Sequence, residues 1–158
     1  MKDFFTGFCV ETLNGKKTIV AGKGEPLVFL HGFMSSKEAF RAQIEFFSKY
    51  FTVYAPDLCG FGENREMAYP YSLDDYVREL DELIDSVGGK SCVIAHSFGC
   101  RVALKEAGDL AHGALRLNAG NALCFQRLCE PPDQSAGKRA ARLRRWLYAL
   151  HLLKRPQL

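Results

Sequence analysis

The chain has 158 residues, 47% of them hydrophobic and 25% charged, and a formal net charge of +3. These are ordinary values for a soluble globular protein, and the length allows one domain with a real core. A charge this mild does not call for a nucleic-acid partner, and no stretch is long enough to span a membrane.

In chain order, residues 8–13 and 17–21 flank Asn14-Gly15 and predict a β-hairpin at the start of a sheet. Leu27-Val28-Phe29-Leu30 is a continuous apolar strand running into His31-Gly32-Phe33. Residues 36–49 read as a helix. Ala39, Phe40, Ile44 and Phe47 recur at helical spacing, and Lys37, Glu38, Arg41 and Glu45 fill the other face. A second short strand, Thr52-Val53-Tyr54-Ala55, runs into Pro56-Asp57-Leu58-Cys59-Gly60-Phe61-Gly62. Residues 72–87 give another helix, with Ser72 as N-cap, Asp74 and Asp75 in the first turn and Gly88-Gly89 at its end. Strands alternating with helices in this way predict a mostly parallel sheet flanked by helices.

The next strand, Cys92-Val93-Ile94, enters Ala95-His96-Ser97-Phe98-Gly99, and an apolar helix pattern follows (Val102, Ala103, Ala107). One serine at the tip of a sharp strand-to-helix turn, with small residues two positions to either side, is what a nucleophile elbow needs. Ala95 stands where the G-x-S-x-G pattern has its first glycine, and alanine is the smallest departure available. Taken alone, the pentapeptide also fits an ordinary turn with a serine N-cap.

Taken together and in this order, His31-Gly32-Phe33, Pro56 to Gly62 and Ala95 to Gly99 resemble the α/β-hydrolase family, serine hydrolase branch. The resemblance covers residues 20–110 well and 110–158 poorly. It implies an α/β-hydrolase fold, with Ser97 as nucleophile and the backbone N–H groups of Phe33 and Phe98 as the oxyanion hole. His31, Gly32, His96 and Gly99 support these motifs, His31-Gly32 by shaping the first oxyanion loop. The implied activity is esterase-like hydrolysis of a small-molecule ester, thioester or related acyl bond. A serine nucleophile argues against the epoxide-hydrolase and dehalogenase branches, which carry aspartate at that position.

A complete member of the family needs an acid and a histidine after the serine. Beyond Asp109 the only carboxylates are Glu130 and Asp133, and the only histidines beyond Ser97 are His112 and His151. After a strand near Ala114–Leu117, where some relatives carry the acid, the chain reads Asn118-Ala119-Gly120-Asn121. Asparagine cannot stabilise an imidazolium as a carboxylate does. Neither His112 nor His151 has an obvious orienting carboxylate. The expectation is therefore a hydrolase truncated after the elbow helix and the following strand, with weak or no activity. The alternative is a non-catalytic binding module that keeps the pocket.

Charge marks the same break. Residues 1–110 carry 12 Lys and Arg against 16 Asp and Glu, whereas residues 111–158 carry 9 against 2. The division expected is 1–130 as the N-terminal part of the core and 131–158 as a basic amphipathic helical segment starting a cap or lid. In that segment Leu143, Trp146, Leu147, Leu150 and Leu153 form a stripe among arginines. A frame error near residues 106–130 competes with truncation as the origin of the tail. The stripe could face an active-site cleft or lie on an anionic membrane surface. The N-terminus is too short and polar for a signal peptide. The six cysteines are thus expected to stay reduced in the cytoplasm. They form no C-x-x-C pair, so no metal is expected. No cofactor fingerprint or phosphate loop is present, and the oligomeric state is open.

Overall fold

The computed structural model describes residues 8–109, 113–117 and 122–127, with side chains up to residue 106. The segment 131–158 and residues His112, Asn118–Asn121, Glu130 and His151 lie outside the described residues.

Strands β1 (Cys9–Leu13) and β2 (Lys16–Ala21) form an antiparallel hairpin in which Leu13 pairs with Lys16. Two residues join them. Asn14 (φ 47°) and Gly15 (φ 76°) both take positive φ, as the tight hairpin turn requires. Strands β3 (Pro26–Leu30), β4 (Thr52–Pro56) and β5 (Ser91–His96) follow, then β6 (Gly113–Leu117) and β7 (Ala122–Arg127). The sheet order is β1-β2-β4-β3-β5-β7-β6.

The α/β fold class is present, but parallel pairing is confined to β4-β3-β5 in the centre. The sheet is mixed rather than mostly parallel, with antiparallel pairs on both flanks. Chain length explains the difference. Residues 14–15 and 118–121 are too short to carry a crossover, so each joins strands that run in opposite directions. β7, and not β6, lies beside β5, pairing Ser91 with Arg127 through His96 with Ala122.

β3 is the centre of the sheet, and its apolar run follows from burial on both faces. Val28 and Leu30 face one core cluster, with Leu58, Tyr76, Leu80, Ile84, Val93 and Val102. Leu27 and Phe29 face the other, with Phe40, Ile44, Phe47, Val53 and Ile94. The first cluster is closed by helices α2 (Leu73–Ser86) and α3 (Phe98–Asp109), the second by α1 (Arg41–Phe47). Ser72 and Asp75 form a capping box at the start of α2. The Ser72 N–H donates to Asp75 Oδ2 at 2.8 Å, and the Asp75 N–H to Ser72 Oγ at 3.4 Å.

α1 is shorter than the helix predicted over 36–49. Its first turn, Lys37–Phe40, is wound as a 3-10 helix in which the Ala39 N–H donates to the Ser36 carbonyl. The polar-face assignment of Lys37 is also corrected, since its side chain is 1% exposed. The turn brings Lys37 inward onto Asp57, whose Oδ1 accepts the Lys37 backbone N–H at 2.8 Å.

Candidate active site

Ser97 is the one residue between β5 and α3, and its φ is +51°. Left-handed backbone is costly for a residue with a Cβ. Here it is imposed from both sides. His96 is still paired in the sheet, and Phe98 already begins the helix. The side chain at the bend is exposed on the surface. Behind it the packing is close. A Cβ on Gly99 would come within 2.5 Å of the Leu30 carbonyl oxygen and 2.8 Å of that of His31. Only glycine lets α3 approach the end of β3 so closely. Ala95 is fully buried, and its methyl group is accommodated within the strand.

The loop after β3 meets this bend. A Cβ on Gly32 would lie 3.1 Å from Ser97 Cβ and 3.1 Å from His96 Nδ1. Phe33 follows Gly32, and Phe98 follows Ser97, so both Phe backbones stand beside the serine. The Phe98 N–H belongs to the first turn of α3, where amides have no acceptor within the helix. The Phe33 side chain is 66% exposed, and Met34 beside it holds φ +52° with 83% exposure. The serine bend and this loop are thus both held in strained backbone, a feature that clusters at functional sites.

His31 is buried beneath the loop and has both ring nitrogens engaged. Its Nε2 accepts the Leu58 N–H at 3.0 Å, so Nδ1 carries the proton and donates to the Gly32 carbonyl at 2.8 Å. Burial pushes the imidazole below its ordinary value, against the opposing pull of the Gly32 carbonyl and of Asp57. His31 is therefore a neutral strut tying the loop after β3 to the loop after β4. His96 is exposed beside Ser97.

Asp57 anchors the same two loops through charge. It is fully buried. Its Oδ2 lies 2.7 Å from Lys37 Nζ and accepts the Glu63 N–H at 2.9 Å. Lys37 Nζ also contacts Glu63 Oε1 at 2.6 Å and Glu38 Oε1 at 2.9 Å. Burial alone would lower the lysine pKa; the bonds to Asp57, Glu63 and Glu38 outweigh it and hold the ammonium above the ordinary lysine range. Gly62, at φ +54°, leaves room for this carboxylate, because a Cβ there would sit 2.2 Å from Asp57 Cγ. Among the described residues, Glu38, Asp57 and Glu63 are the one group of acids spaced to hold a metal ion. The Lys37 ammonium already supplies their countercharge.

Sequence reading brought out Ser97, Phe33, Phe98, His31, Gly32, His96 and Gly99, and the fold brings all seven to one end of β3 and β5. It missed Lys37 and Glu63. The available signal was Asp57, a carboxylate at the end of a buried strand, which needs a cation or several N–H donors.

A model of the alpha/beta hydrolase family matches residues 27–157. The chain is 38% identical over 79 residues to the (E)-2-((N-methylformamido)methylene)succinate hydrolase of Acinetobacter baylyi, covering 49% of this chain and 30% of that protein. It is 36% identical over 92 residues to a soluble epoxide hydrolase of Corynebacterium, covering 58% and 32%. Among solved structures, the N-formylmaleamic acid deformylase of Pseudomonas putida superposes with a TM-score of 0.55 at 28% identity, over 65% of this chain and 41% of that one. The chain thus spans about a third of the length of these curated relatives. No helix among the described residues is long and apolar enough to cross a membrane.

Proposed function

We propose that this chain, which belongs to the alpha/beta hydrolase family, carries the nucleophile and oxyanion hole of a serine hydrolase acting on an acyl bond of a small molecule. The observation that carries this reading is Ser97, exposed at φ +51° against Gly32 and at the N-terminus of α3. Its Oγ attacks the carbonyl carbon of an ester, thioester or related acyl group. The negative charge that develops on the carbonyl oxygen is met by the N–H groups of Phe33 and Phe98. One such donor is worth about 3 kcal/mol in a comparable enzyme.

The relatives include both epoxide hydrolases and hydrolases of amide-like bonds. Serine at position 97 favours acyl chemistry. Attack on a carbonyl gives an acyl-serine ester, which water can cleave. Attack on an epoxide would leave a serine ether, which water does not cleave under mild conditions. A carboxylate nucleophile avoids that dead end, because its adduct is itself an ester.

The proton acceptor for Ser97 is not supplied by His31, whose ring nitrogens are both committed. That observation favours a second reading, a binding module that keeps the pocket without the chemistry. A fluorophosphonate probe separates the two. Covalent labelling of Ser97 in the folded chain, absent in Ser97→Ala, supports the hydrolase; an unlabelled folded chain supports the binding module. Serine-dependent turnover of p-nitrophenyl acetate would extend the first result to catalysis.

A further inference from the structure

The surroundings of Ser97 also carry information about what it acts on. Phe33 and Phe98 are the chain neighbours of Gly32 and Ser97, which are themselves in contact. Their rings lie 6.4 Å apart, edge to face at 73°. Phe61, from the loop after β4, stands edge-on to Phe33 at 5.4 Å, and Tyr76 stands edge-on to Phe98 at 5.1 Å. Phe33 is held by these rings yet keeps 66% of its surface open, next to Met34 at 83%. Aromatic rings in this arrangement offer both faces and edges to a further ring.

We propose that the group seated beside Ser97 is an aryl group, lying on Phe33 and Phe98. This rests on the reading of Ser97 as the nucleophile for its catalytic meaning, but the aryl seat itself can be measured without chemistry.

The test uses the full chain carrying Ser97→Ala, with binding of acetophenone and of its saturated analogue cyclohexyl methyl ketone followed by saturation-transfer NMR and titration. The expected result is saturable binding of acetophenone, weaker binding of cyclohexyl methyl ketone, and about tenfold weaker acetophenone binding when Phe33→Ala is added. Phe33 is mostly exposed, so its truncation leaves the core intact, which circular dichroism checks. Cyclohexyl methyl ketone binding as tight as acetophenone, no acetophenone binding, or acetophenone binding indifferent to Phe33→Ala would each overturn the proposal. Failure of the two readings is separable. Fluorophosphonate labelling of the parent chain without acetophenone binding sinks the aryl seat alone. Acetophenone binding without labelling sinks the nucleophile and leaves the seat.

Discussion

Replacing Ser97 by glycine should make the protein more stable while removing its proposed nucleophile. At φ +51° the serine backbone occupies the left-handed region, which costs a residue with a Cβ about 1–2 kcal/mol. Glycine escapes that cost but loses about 0.5–1 kcal/mol through its freer unfolded chain. The net gain is about 0–1.5 kcal/mol, centred at about 0.75 kcal/mol. Ser97→Ala keeps the Cβ and therefore the strain. Because the side chain is exposed, its stability should stay within about 0.5 kcal/mol of the parent. With a urea slope of about 2 kcal/mol per molar, the glycine variant should unfold at a midpoint about 0.4 M higher than the alanine variant. Both variants should be blank to the fluorophosphonate probe. A glycine midpoint equal to or below that of alanine would refute the argument, because it would mean that the turn stores no strain at this position.

Three further outcomes follow from the surrounding packing. Gly99→Ala puts a methyl group 2.5 Å from one backbone oxygen and 2.8 Å from another, so it should cost about 1–3 kcal/mol in urea unfolding and slow labelling of Ser97 by shifting the start of α3. A normal midpoint would show that the helix moves freely against β3. Lys37→Met removes the cation from the buried Asp57 and should cost about 3–5 kcal/mol; a loss under about 1 kcal/mol would show that the carboxylates are solvated instead. His31 has a folded pKa below its ordinary value of 6.5, so the unfolded chain binds its proton first. Its contribution is complete above pH 6.5 and is lost as pH falls below it, with a slope approaching about 1.4 kcal/mol per pH unit. Urea midpoints measured at pH 7.5, 6.5 and 5.5 should show this decline, and His31→Gln should lack it.

The elements that were legible in the sequence are those whose signal is local. Asn14-Gly15 fixes its hairpin through the backbone freedom of two residues, and Ser72 with Asp75 fixes the start of α2 through two reciprocal bonds. The apolar run of β3 announces burial on both faces. The sharp turn at Ser97 was legible because a strand-to-helix bend is a local backbone problem, one that demands a glycine at 99. Lys37 was not. Its helical spacing places it on the polar face, and what turns it inward is Asp57, 20 positions away. Helical periodicity reports which face of a helix is apolar, but it carries no information about a single charge claimed by a distant partner. The strand order near β5 was hidden for a related reason. Pairing of β5 with β7 rather than β6 is a choice between distant strands, which the local hydrophobic pattern does not encode.

The Lys37–Asp57 contact also decides how the candidate site is built. The serine end is set by covalent neighbours, since β5 and α3 impose the bend directly. The Phe33 end has no such constraint, being a loop that leaves β3 and must be held from elsewhere. Two ties from the loop after β4 hold it: the Leu58 N–H on His31, and the Asp57 carboxylate on the Lys37 backbone. A donor aimed at a developing oxyanion is useful only if it does not have to reorganise as charge appears. On the proposed reading of Phe33 and Phe98 as oxyanion donors, the buried ion cluster supplies rigidity to one of them and the strained turn to the other. It follows that Lys37→Met, in variants that still fold, should slow labelling of Ser97 by fluorophosphonate more than it weakens acetophenone binding. The proposed aryl seat needs the Phe33 side chain near Phe98, whereas the proposed oxyanion hole needs the Phe33 N–H fixed to within a fraction of an ångström.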